Sequence, residues 1–420
     1  MKARIEFLDN LRFSLILSVV AVHAALAYSR VVPYWPISDV DETVVYDVLI
    51  FVRDLFGMPL LFMISGYFAW MSLMKEADRP VRFLMKKLYR IGVPFLVSLV
   101  CLAPAVSYMY RYKGNALAQE IPATFSEHWQ LFGHSILSLS TRILGQGAVT
   151  DVVLGHLWFI STLLVFYVVL VVGFSVSGHR LRTAAFWLRD LSFGKSFLLL
   201  LVLFPALVGG ALNAVGLIFY GGIAESVWVV VYSVFSIQLV RIGTYAGAFM
   251  FGAYLCANHT HLFDREAVRS ISLKRWFGCA VAALIGVVLM YGVYAAGYFE
   301  MNAVAVAGMG VFSVCRNLLG AALMMVCLLL AFRHWRTSGP LSRRLSGASF
   351  DIYLLHMPFV VWMQLLMMSF DVVSSVKFVA VWLVSVVACF YISETLMRRS
   401  MLWRAGCLAS PGVVSWLVFH

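Results

Sequence analysis

Apolar residues run through this chain in stretches of about 20, the length a helix needs to cross ~30 Å of hydrocarbon. The stretches fall near 11–29, 45–74, 89–108, 154–176, 196–218, 238–257, 276–297, 311–332, 347–369 and 374–397. They predict ten transmembrane helices in an all-α, polytopic bundle. Pro59 and Gly66 interrupt the long second stretch, so a tilt or kink is expected there. The sixth stretch is the weakest, because Gln238 and Arg241 stand at its start.

Basic residues gather in alternate connections. The N-terminus, the connections around 75–90, 180–195, 265–275 and 333–344, and the segment after 397 hold 24 of the 32 Lys and Arg. The first opposite connection carries Asp39, Asp41, Glu42 and Asp47. Short loops rich in Lys and Arg stay in the cytoplasm. Both termini are therefore expected inside, which requires an even number of helices.

Composition narrows the class. Hydrophobic residues make up 62% and charged residues 12%, against about 25% charged in soluble domains. Such a chain uses lipid as its outer solvent, and residues 1–420 read as a single membrane domain. The net charge of +12 does not indicate nucleic acid, because the basic residues flank the apolar stretches. The seven cysteines form no CxxC pair and read as small buried hydrophobes. Ala25-Leu26-Ala27 resembles a signal-peptide cleavage site. Glu6 and Asp9 in the supposed basic region argue instead for a retained first helix. The largest connection, from about 109 to 153, is expected outside; it is read either as functional or as a cap on the bundle.

Candidate chemistry concentrates in the first helix. Eleven steps separate Arg12 from His23, a rise of ~16.5 Å and a rotation within about 20° of whole turns. The two side chains share one face, with Arg12 at the cytoplasmic interface and His23 expected near the midplane. Asp9, one turn before Arg12, is placed to orient it. An intramembrane histidine is costly and titrates near neutrality, which suits proton transfer. The residues alone leave a second reading open, a histidine that only bonds a neighbouring helix.

Several segments then resemble one family. LDNLR followed by VVAVHAAL, PLLFMISGYF, KKLYRIGVP, HLWFISTLLVFY and FDIYLLHMP occur in the order found in the membrane-bound acyltransferase-3 superfamily. The pattern is nearest to its glucan-modifying branch, similar to the succinyltransferase of periplasmic glucans. The resemblance implies a multi-pass inner-membrane O-acyltransferase. It would move an acetyl or succinyl group from cytoplasmic acyl-CoA to a hydroxyl of an exported glycan or lipid-linked acceptor. It maps the family's Arg-x10-His pair onto Arg12 and His23, and its basic pair onto Lys87 and Arg90. Lysine at 87 departs from the family's arginine and loses the bidentate fork.

On this reading Arg12, Lys86, Lys87 and Arg90 hold the donor phosphates, and His23 is the general base of a one-step transfer, with an acyl-histidine relay as the alternative. Positive-inside anchoring also accounts for the three later cations. His156, Trp158 and His356 are candidates for the cavity or acceptor side. Interfacial anchoring explains Trp158 as well, and simple packing explains His356. Ser65 lacks a GxSxG context and reads, with Gly66, as a small-residue helix contact. No bound cofactor and no metal are expected. The expected partners are membrane lipids, acyl-CoA and the acceptor. The rival class is a transporter or flippase for a glycan or small solute, for which paired broken helices and an internal repeat would be the signs.

Overall fold

Each apolar stretch is realised as a helix in the computed structural model. It describes residues 5–32, 35–109, 141–144, 155–177, 193–220, 228–231, 235–258, 272–295 and 303–397. The spans are α1 (Glu6–Tyr28), α2 (Val44–Met74), α3 (Pro80–Cys101, continued by Ala103–Met109), α4 (Gly155–Val176) and α5 (Phe193–Leu212). They continue with α6 (Leu239–Ala257), α7 (Leu273–Gly292), α8 (Gly310–His334), α9 (Pro340–Met367) and α10 (Ser374–Thr395). Among the described residues this gives nine spans, and a tenth where the bent pair is counted as one, the ten-helix bundle that the hydropathy predicts.

The third span begins earlier than expected, at Pro80, and its two parts meet at 42°. Pro104 explains the bend, since it removes a helical N–H and crowds the carbonyl four residues back. The second span does not break. α2 runs through Pro59 as one helix. The Leu55 carbonyl, deprived of its helical donor by Pro59, lies so close to α8 that any side chain at Gly320 would meet it.

α2 packs most closely on α6, α7 on α8, and α1 on α9 and α2. The α2–α6 approach depends on two glycines. A Cβ at Gly66 would run into the Phe249 carbonyl, and one at Gly252 into that of Met63. Small residues let helix backbones touch inside a membrane. A three-stranded antiparallel sheet also forms, β1 (Thr141–Leu144), β2 (Trp228–Val231) and β3 (Phe235–Gln238). The hydropathy reading did not anticipate it. Apart from Met109 and β1, the connection expected over 109–153 lies outside the described residues.

The two ends of the bundle differ. At one, Arg343 pairs with Glu6 at 3.1 Å and Arg344 with Glu394 at 3.0 Å. Asn10 there bonds the Trp335 carbonyl and accepts from Ser338 and Ser342. At the other end the 29–43 connection folds inward. Lys377 of α10 pairs with Asp39 at 2.7 Å, both side chains being at least 93% buried. The Ser374 amide donates to Asp41 at 2.7 Å, which holds the Asp41 carboxyl below its ordinary value.

Candidate active site

α1 carries the two residues that the sequence singles out, and the rest of the site is built around its ends. Arg12 is half-buried. Its Nη2 lies 3.2 Å from Asp9 Oδ1, one turn back, and donates to the Ser346 carbonyl of α9 at 3.4 Å. α9 is fixed here in return, because Ser346 Oγ donates to the Asp9 carbonyl at 3.2 Å.

His23 lies near the other end of α1, ~9 Å beyond the centre of the Glu6–Tyr28 span rather than at its middle. The last carbonyls of a helix lack intrahelical donors. Gln364 of α9 supplies one, its Nε2 donating to the carbonyls of His23 and Ala24 at 2.9 and 3.1 Å. The Gln364 Oε1 accepts the Trp35 indole N–H at 2.9 Å. Trp35 then stacks on His23, with centroids 5.7 Å apart and planes 18° apart. One amide thus fixes the backbone that carries His23 and the ring that covers it.

Two further histidines meet His23. His356 lies at 5.3 Å between ring centroids, and His156 lies 4.8 Å beyond His356. The His356 Nδ1 faces the Tyr353 carbonyl at 2.7 Å and must donate to it. Its Nε2 therefore holds the lone pair, and this atom is buried without a partner among the described residues. The Nδ1 of His23 is buried without one too. His156 Nε2 donates to the Leu354 carbonyl at 3.1 Å. That oxygen is available because Pro358, four residues on, has no N–H to offer it. The Tyr353 hydroxyl donates to the His156 carbonyl and completes the cluster. Among the described residues no group of His, Cys, Asp and Glu is disposed to hold a metal ion.

The basic mouth assembles from α1, α3 and α4. The Lys87 ammonium lies 5.3 Å from the Tyr167 ring centroid and 5.4 Å from that of Phe83. Arg12 and Arg90 both come within electrostatic reach of the Tyr167 hydroxyl. Lys87 thus lies against one tyrosine whose hydroxyl both arginines influence, and Arg90 is exposed. Lys86 does not join them. It points along the surface to an ion pair with Glu76, as expected of neighbouring positions on a helix, which diverge by about 100°.

The remaining candidates divide. His156 belongs with His23 and His356. Trp158 lies to one side, against Tyr245 at 5.3 Å and Phe62 at 6.4 Å. Ser65 is half-buried beside Gly66, which meets Phe249 at the α2–α6 contact. Sequence reasoning missed Trp35, Gln364, Tyr353 and Arg53. Arg53 had a signal, an ionisable residue inside an apolar stretch. Tyr353 and Gln364 share α9 with His356, at three and eight residues' remove. Trp35 lies in a connection, where no periodicity points inward.

The comparisons with known proteins identify the family. A family model described as an acyltransferase domain matches residues 5–394, nearly the whole chain, and so takes in α1, α3, α4 and α9 together. No curated protein and no solved structure matched. The family match and the ten-helix bundle together establish a multi-pass membrane acyltransferase, and the chain belongs to the acyltransferase-3 family.

Proposed function

We propose that this protein is an O-acyltransferase of the inner membrane. It takes an acetyl or succinyl group from cytoplasmic acyl-CoA and places it on a hydroxyl of an exported glycan or a lipid-linked acceptor. The observation that carries this reading is the division of α1. Arg12, Lys87 and Arg90 all come within reach of Tyr167, and His23 stands with His356 ~16.5 Å of helix away. A cationic mouth suits the phosphates of a nucleotide-bearing donor. The arm of the donor threads from there toward the histidines.

The acceptor hydroxyl then gives its proton to His23, and its oxygen attacks the thioester carbonyl carbon. The carbon–sulfur bond breaks, the ester forms, and the departing thiolate takes the proton back from the imidazolium. The transfer needs no covalent intermediate on the protein, and histidine is left neutral for the next turn. This direction of travel requires the Arg12 end to face the cytoplasm. Glu6, Arg343 and Arg344 lie at that end, which fits the placement of Lys and Arg inside.

Two measurements test the reading. Purified protein should consume acyl-CoA only when a hydroxyl-bearing acceptor is present, and envelope glycans from cells without the gene should lack one acyl mass. A reporter fused within 75–90 should report the cytoplasm. Periplasmic activity from that fusion, or liposomes that move a glycan without consuming any acyl-CoA, would defeat it.

A further inference from the structure

Arg53 and Asp54 stand side by side within α2, in a stretch otherwise suited to lipid. Ionisable residues there are costly and need partners. Asp54 has them. Its Oδ1 lies 2.5 Å from Arg241 Nη1 and its Oδ2 lies 3.5 Å from Arg316 Nη2. Arg53 has no comparable carboxylate. Its Nε donates to the Ser18 hydroxyl at 3.2 Å, and its Nη2 is buried without a hydrogen-bond partner among the described residues. Among the described residues, then, one buried guanidinium nitrogen of Arg53 is left open to an anion.

The local backbone makes space for this side chain. A Cβ at Gly57, one turn along α2, would collide with the Arg53 guanidinium. Ser18 places the group along α1. It lies between Arg12 and His23, ~7.5 Å of rise short of His23. Arg53 is also within electrostatic reach of His23 and Tyr353. The unsatisfied fork therefore sits on the Arg12 side of His23, where the acyl group arrives. An anion on an acceptor coming from the opposite end would meet Trp35 first.

We propose that Arg53, backed by Arg241, Asp54 and Arg316, is an anion site that takes the free carboxylate of a dicarboxylic acyl group. A planar guanidinium matches a carboxylate in a way that an apolar acetyl methyl cannot use. The site selects the donor whose acyl group carries its own negative charge. The inference rests on the acyl-transfer reading for what the ligand is, and its test is kept separate by measuring binding.

The experiment compares succinyl-CoA with acetyl-CoA on the full-length, detergent-purified protein, by calorimetry and by the shift in thermal unfolding. Wild type should bind succinyl-CoA roughly tenfold or more tightly than acetyl-CoA, the effect of one charge-assisted hydrogen bond. Arg53→Met should abolish the difference by weakening succinyl-CoA alone. Gly57→Ala, which keeps every charge but displaces the guanidinium, should narrow the difference too, and serves if Arg53→Met folds poorly. Equal binding of the two donors by wild type, binding of neither, or equal loss of both in Arg53→Met would overturn the proposal. Turnover separates the two readings. Arg53-dependent binding without acyl transfer leaves the anion site standing and removes the reaction. Transfer that is indifferent to Arg53 does the reverse.

Discussion

His23 and His356 face one another with ring centroids 5.3 Å apart, and each keeps a buried ring nitrogen without a hydrogen-bond partner among the described residues. The two are not equivalent. The Tyr353 carbonyl fixes the tautomer of His356, whereas no carbonyl or carboxylate bond fixes that of His23 among the described residues. On the proposed reading, His23 is the base that takes and returns the proton. His23→Ala should lower acyl transfer by about 10²–10⁴-fold, the worth of a positioned base, with folding and donor binding retained. His23→Gln should not rescue, because an amide holds a polar group in place but accepts no proton usefully at neutral pH. Turnover per molecule of monodisperse protein decides it. Near-normal turnover in His23→Gln would leave this residue a structural role only.

Pro358 has a second, separable effect. Proline in a helix interior costs about 3 kcal/mol relative to alanine, yet here it frees the Leu354 carbonyl for His156. Pro358→Ala restores an N–H that competes for the same oxygen. The variant should unfold at the same or a higher temperature and transfer acyl groups more slowly, several-fold or more. A variant that is both more stable and fully active would show that the His156 bond does nothing for the reaction.

The basic mouth makes a different demand. On the proposed reading, Arg12→Ala and Arg90→Ala would each remove a charge-assisted contact to donor phosphate, worth roughly 1.5–3 kcal/mol. Apparent affinity for acyl-CoA should therefore fall by about tenfold or more in each. Lys86→Ala should leave it unchanged, since Lys86 is turned to Glu76. If all three variants bind the donor like wild type, these cations anchor the bundle and nothing more.

The helices were legible because lipid imposes a simple rule: each span must be long, apolar and flanked by charge. All ten stretches are realised at nearly the expected places. The sheet escaped notice because TRIL, WVVV and FSIQ are short β-branched or apolar runs between spans, and hydropathy has no window for them. In the site, Arg12, His23, His156 and His356 could be named because titratable residues are rare in such apolar stretches, and Lys87 and Arg90 because the resemblance maps the family's basic pair onto them. What the sequence could not convey was which of them meet. Helix packing alone joins His156 of α4 to His356 of α9. Trp35 and Gln364 were invisible for a related reason. The two act through hydrogen bonds that cross more than 300 residues of chain, and local pattern carries no trace of them.

The last prediction concerns the connection that holds Trp35 over His23. Asp39, in the same connection, pairs with Lys377 at 2.7 Å, and the two side chains are 5% and 7% exposed. Removing one partner of a buried ion pair leaves an uncompensated charge and typically costs 3–5 kcal/mol, whereas replacing both can be nearly neutral. Lys377→Met should therefore lower the thermal unfolding temperature clearly. The double variant Asp39→Asn/Lys377→Met should recover much of the loss. A double-mutant cycle in detergent gives the coupling directly. Because Gln364, not this pair, bonds the Trp35 ring, the double variant should also keep its acyl transfer within a few-fold of wild type. If the single and double variants are equally unstable, the pair is not what fastens this connection, and the Ser374–Asp41 bond at 2.7 Å becomes the stronger candidate.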